Sequence, residues 1–191
     1  MDAWGARIVV IFATGVGVGL LGDACHIASG TTQYAATAWP VVWRSPLWFL
    51  LLCGGGVLLT AFAGYKLGLP RVPRTRPQLS AAVAAMVALY ALTATMRSQT
   101  PTVSVVLTGA LGATAWCLWD PSFRCLVLAL GAALIATVAE SCVAAAGFHR
   151  YAPDSQGPLG LAPWLPCLFF AQAVVASGLW RSVSASHEPR A

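Results

Sequence analysis

Six apolar runs, each close to the roughly 20 residues that a helix needs to cross a bilayer core of about 30 Å, take up most of this 191-residue chain. They extend from Arg7 to Ala28, Pro46 to Leu67, Leu79 to Met96, Thr102 to Trp119, Phe123 to Phe148 and Pro163 to Val183. Only 9% of the residues are charged, and the charges gather at the ends of the runs. An average soluble domain has about 25% charged residues, so this chain cannot cover a water-facing surface. The expectation is an all-α polytopic membrane protein, a single domain over residues 1–191 with six transmembrane helices in a bundle. Soluble-enzyme classes drop out. The net charge of +5 comes with no basic helix and no interleaved aromatic patch, so no nucleic-acid partner is expected.

Loop charge orients the bundle. Arg7, Lys66, Arg71, Arg74, Arg76, Arg124, Arg181 and Arg190 fall on the side of the two termini, against Arg44, Arg97 and Arg150 on the other. By the positive-inside rule both termini are cytoplasmic. The densest basic loop, "LPRVPRTRPQ" from Leu69 to Gln78, carries three prolines that argue against helix there. Trp39, Trp43 and Trp48 place the first external connection at the membrane interface. The second, "HRYAPDSQGPLGLA", is expected to stay irregular. The six cysteines are scattered without a Cys-x-x-Cys pair, so inert thiols and no metal site are expected.

Few residues inside the spans can carry chemistry. Glu140, in "LIATVAESCV" of the fifth span, costs on the order of 2.5–3.5 kcal/mol to insert, so it should face the bundle interior. It either hydrogen-bonds a neighbouring helix or, with Ser141 beside it, meets the polar head of a ligand. A proton relay is a third reading. Gly15, Gly19 and Gly22 share one helix face, the small-xxx-small pattern of close helix contact. Gly54, Gly55 and Gly56 weaken the second span, either for a tight crossing or for a bend beside a ligand cavity. Asp23 and His26, three residues apart, lie on the outer side with His149 and Asp154. They could build a lipid-modifying enzyme, although no hydrolase or zinc motif accompanies them. Asp120, in "WCLWDPS", is a helix stop before Pro121 or a docking point for a membrane-protein partner.

Two of these stretches carry a resemblance. "WLPCLFFA", Trp164 to Ala171, and "WCLWD", Trp116 to Asp120, look like signature segments of the Insig family; "ALIATV" and Tyr151 fit its fifth span, and "TAWPVVW" echoes its approach to the second. The resemblance runs best from about Ser104 to Ser182 and implies a non-enzymatic sterol or lipid sensor. It places Trp116 and Asp120 on the family's tryptophan and cytoplasmic aspartate, the latter contributing to binding of an escort protein. The resulting expectation is a central intramembrane cavity lined by spans one to five. Gly19, Gly54, Gly55, Gly56, Trp116, Glu140 and Ser141 would contact the lipid, and span six would serve as scaffold. The ligand is a sterol or a diacyl lipid, with no other cofactor. The Ala- and Gly-rich faces predict a homo-oligomer, dimer or trimer, in a bacterial plasma membrane. "PWLPCLFF" reads as a helix start, with Trp164 at the outer interface.

Overall fold

The computed structural model describes residues 3–36, 38–69 and 75–185; Arg71, Arg74 and Arg190 lie outside them. Six helices follow the six runs: α1 (Ala3–Ala28), α2 (Leu47–Lys66), α3 (Arg76–Thr95), α4 (Pro101–Trp119), α5 (Phe123–Ala145) and α6 (Leu165–Ala185). The first five are long and apolar enough to cross a membrane, and α6 adds the shorter apolar stretch Leu165–Trp180.

Capping chemistry explains where the helices begin. Thr75 and Gln78 form a reciprocal capping box at α3, so the helix starts ahead of the expected Leu79 and takes Pro77 into its first turn, where no N–H is missed. Thr100 caps α4 ahead of Pro101, and the Ser122 hydroxyl accepts from Cys125 N at α5. Three helices end alike. After α1, α2 and α5 a glycine with positive φ (Gly30, Gly68, Gly147) donates three residues back, and the next residue donates five back. This is the Schellman arrangement, and it stops α5 at Ala145, short of the expected Phe148.

The connections that follow α1 and α5 are more ordered than their composition suggests. β1 (Thr32–Tyr34) pairs antiparallel with β4 (His149–Tyr151), Gln33 opposite Arg150. The connection between α5 and α6, expected to stay irregular, is thus half of a ribbon that ties the C-terminal end of α1 to the C-terminal end of α5. A small hairpin, β2 (Val41–Val42) with β3 (Ser45–Pro46), leads into α2. Arg97 Nε donates to both carboxylate oxygens of Asp154 at 2.9 Å, and its Nη1 donates to Ser29 O, joining three connections on this side.

α6 is the centre of the bundle and touches every other helix. Leu168, Ala171, Val174, Val175, Ala176 and Trp180 are all buried along it. The expected scaffold is therefore the hub of the core. Trp164, expected at the lipid interface, is 2% exposed, with its ring 5.0 Å from that of His26 and 6.2 Å from that of Tyr151. The helix starts after it, so the indole turns inward over the bundle end. At the opposite end Trp4 meets Phe62, Tyr65 and Trp180 edge to face, and the cluster fastens α1, α2 and α6.

Candidate functional site

Two features inside the bundle stand out among the described residues. The first is a buried polar layer beneath the ribbon. Asp23, 2% exposed, accepts at Oδ1 from the Tyr34 hydroxyl at 3.0 Å and has the Ser45 hydroxyl as a neighbour. Glu140 Oε1 accepts from the Tyr151 hydroxyl at 3.0 Å and lies 3.0 Å from His149 Nε2. Burial, reinforced by the charges of Asp23 and Glu140, pushes the phenols of Tyr34 and Tyr151 far above their usual range, so both remain donors. The alternation of the two short strands positions the layer. Tyr34 and His149 are directly opposite in the ribbon, and Tyr151 follows two residues later on the same face.

The second feature is an apolar groove of about 460 Å³, within the usual 300–1,000 Å³ range of ligand sites. α3 supplies Ala85, Met86, Ala88, Leu89 and Leu92, α4 supplies Leu111 and Ala115, and α6 forms the floor with Ala171, Gln172 and Val175. α3 and α4 pack little against each other and both lean on α6, which leaves the groove open at a rim where Ala85, Ala88 and Leu111 are exposed. Gln172 is the one polar side chain of the lining, and its buried Nε2 has no hydrogen-bond partner among the described residues. An unpaired buried amide is costly enough to need explanation.

No family model matches the chain. A curated relative from Mycolicibacterium vanbaalenii, described as an INSIG protein homolog, is 36% identical over 174 residues, covering 90% of this chain and 84% of the relative. The chain belongs to the Insig family. Insulin-induced gene 1 protein of Danio rerio is 25% identical over 184 residues, covering 93% of this chain and 72% of the relative. The crystal structure of the mycobacterial Insig homolog MvINS superposes with a TM-score of 0.89 at 33% identity over 97% of both chains. MvINS has also been solved as a cross-linked trimer. The chain is a multi-pass integral membrane protein of this Insig fold.

The residues singled out from the sequence do not converge on the groove. Glu140 turns towards the ribbon near the C-terminal end of α5, with Ser141 half-buried next to it. Gly19 and Gly54 sit at the α1–α2 crossing: a Cβ on Gly19 would lie 2.7 Å from Cys53 Sγ, and one on Gly54 2.8 Å from the Phe12 ring. Around Gly55 and Gly56 a Cβ would meet nothing within 4 Å, and α2 continues unbroken through all three glycines. Helix packing on one side and open surface on the other account for the glycines. Trp116 Nε1 donates to Ser122 O at 3.2 Å, and Asp120 Oδ1 accepts from Ser122 N at 3.0 Å, so both brace the α4–α5 turn.

Asp23 and His26 point apart. His26 Nε2 lies 2.9 Å from Thr93 Oγ1 and 3.2 Å from Tyr90 O, on the α3 side, whereas Asp23 joins the polar layer with His149. Among the described residues no group of three or more His, Cys, Asp or Glu side chains could hold a metal ion. Gln172 escaped the sequence reading, although a lone amide in "LFFAQAVVASG" is a signal of the same kind as Glu140.

Proposed function

We propose that this protein is a non-enzymatic lipid-binding member of the Insig family that holds an uncharged lipid, a sterol or a diacyl lipid, in the groove between α3, α4 and α6. The observation that carries the reading is Gln172. Seven residues into α6, it sits about 10 Å below the outer end of the helix at 1.5 Å per residue. A donor there suits a hydroxyl or carbonyl on an otherwise apolar body. Among the described residues no charged side chain lines the groove, and a phosphate drawn to that depth would stay unpaired in hydrocarbon at high cost. A neutral lipid is the ligand this chemistry favours.

In this reading Glu140 fastens the ribbon and Gly19 and Gly54 set the α1–α2 distance, so they shape the bundle without touching the ligand. The loop charges support cytoplasmic termini in a bacterial plasma membrane. The MvINS trimer supports homo-oligomerisation here too. The half-buried Asp120 turn keeps its second carboxylate oxygen for a membrane partner.

Mass spectrometry of the purified protein should find a neutral lipid retained in stoichiometric amount. Ala88→Trp, which fills the groove from its exposed rim, should abolish retention without unfolding the protein. Gln172→Leu should weaken binding about 5-fold, the worth of one hydrogen bond of about 1 kcal/mol. Retention that survives Ala88→Trp would move the ligand elsewhere, and a wild-type protein free of neutral lipid would end the proposal.

A further inference from the structure

The β2–β3 hairpin ahead of α2 is built unlike the rest of the outer surface. Its turn has two residues, Trp43 and Arg44, between strands paired Val41 to Pro46 and Val42 to Ser45. Trp43 has φ 58, at the first turn position, where glycine is the default because a side chain is strained there. The strained residue is also exposed: Trp43 shows 65% of its surface and Trp39 81%. Val41, Val42 and Arg44 are exposed with them.

The base is held as firmly as the tip is bare. Leu47 N donates to Pro40 O at 2.8 Å, Ser45 and Pro46 are buried, and Ser45 neighbours Asp23 of the polar layer. Neighbouring Trp48 behaves in the opposite way. It is half-buried, with its ring 5.9 Å from both Tyr34 and Phe148. Two tryptophans of this segment thus face outward by construction, one of them at a backbone cost, which is the pattern expected of a working surface.

We propose that this hairpin is a lipid-headgroup binding element: Trp39 and Trp43 seat in the glycerol layer of the leaflet around the outer end of α2, and Arg44 pairs with a lipid phosphate. Three observations choose the bilayer over a protein partner. β3 runs straight into α2, so the tip stands at the level where that helix meets the interface. The exposed Leu47, Leu51, Leu52 and Leu59 continue the same apolar surface down the helix. The segment carries a cation and no acid, since the chain has no Asp or Glu between Asp23 and Asp120. An indole half in lipid and half in water, with a cation beside it, is the combination that interfaces favour. Because the hairpin base touches the Asp23 layer, lipid seating also fixes how α2 stands against α1.

The test uses the full chain in nanodiscs of phosphatidylcholine, with or without phosphatidylglycerol. Bromine is placed on the acyl chains either near the glycerol or near the bilayer centre. Wild-type tryptophan emission should show an excess of quenching by the shallow bromine, and Trp39→Phe with Trp43→Phe should remove that excess while leaving the thermal midpoint unchanged. Arg44→Ala should remove any further gain in quenching that phosphatidylglycerol brings. The same excess in the double variant, or quenching of these two indoles by aqueous iodide instead, would overturn the proposal. A change of oligomeric state in the double variant with no lipid quenching would assign the surface to a second copy and overturn it equally.

Discussion

Gly64→Val should strongly destabilise the protein, whereas Gly56→Ala on the same helix should not. A Cβ on Gly64 would lie 2.5 Å from Ser177 O and 3.2 Å from Ser177 C, the backbone of α6 at the α2–α6 crossing. A side chain can rotate away from such an intruder, but a helix backbone can yield only by moving the whole of α6. Since α6 touches every other helix, that shift spreads through the bundle. Overpacking of a close-packed interior costs about 1–3 kcal/mol, occasionally more, and a valine against backbone belongs at or above the upper end. Gly56 has nothing within 4 Å of its virtual Cβ, so alanine there meets no neighbour and gains up to about 1 kcal/mol of helix propensity. Thermal unfolding of the purified variants in detergent compares the two directly. Equal losses would mean that the Gly54–Gly56 stretch carries a constraint this packing does not contain.

The second large effect concerns the polar layer. Glu140→Leu removes the acceptor of the Tyr151 hydroxyl and the carboxylate beside His149, which is itself 5% exposed. Removing one member of a buried pair costs about 3–5 kcal/mol, because the remaining polar group stays buried without its partner. His149→Leu should be similarly damaging. The double variant Glu140→Leu/His149→Leu should recover part of the loss, since two apolar groups of similar size no longer demand partners. Glu140→Gln, which keeps an acceptor for Tyr151, should lose least. A double-mutant cycle on the unfolding midpoint yields the coupling. Strictly additive single losses would mean that the 3.0 Å approach between the two side chains does not bind the ribbon to α5. Lipid retention should be unaffected in Glu140→Gln if Glu140 acts only as a fastener.

The helices were legible because their signals are local. The apolar runs predicted six helices, and the bounds differ from the observed ones by four residues at most. The differences trace to single residues. Thr75 and Gln78 brought Arg76 and Pro77 into α3, and Gly147 ended α5 three residues early. A proline beside arginines had suggested a non-helical loop, whereas a first-turn proline is compatible with a helix.

Partnership was much less legible. Glu140 was marked as an inward-facing acid by its cost alone, but nothing near it in sequence indicates Tyr151, and nothing near Asp23 indicates Tyr34. Each pair spans eleven residues, from a helix end across a turn to a strand, and those strands are set in place by pairing with each other across more than a hundred residues. Strands this short leave almost no alternation to read. The central place of α6 was hidden for a related reason. Helices that are apolar nearly all round do not reveal by hydrophobicity which face meets protein and which meets lipid. Gln172 was visible as a lone amide, but its place on the floor of a groove was not.

By itself, then, the sequence determined that this chain enters a membrane, how many helices it forms and roughly where they lie, and which family it resembles. These properties follow from transfer free energies and caps that act within about 20 neighbouring residues. Only the tertiary structure decided that α6 is the hub, that the groove opens between α3 and α4, and that Glu140 meets His149 and Tyr151. The first two outcomes depend on how side chains distant in sequence fit together in lipid, where shape and hydrogen bonding, and not hydrophobicity, select one packing over another; the third depends on the turn that folds residues 149–151 back over the end of α5.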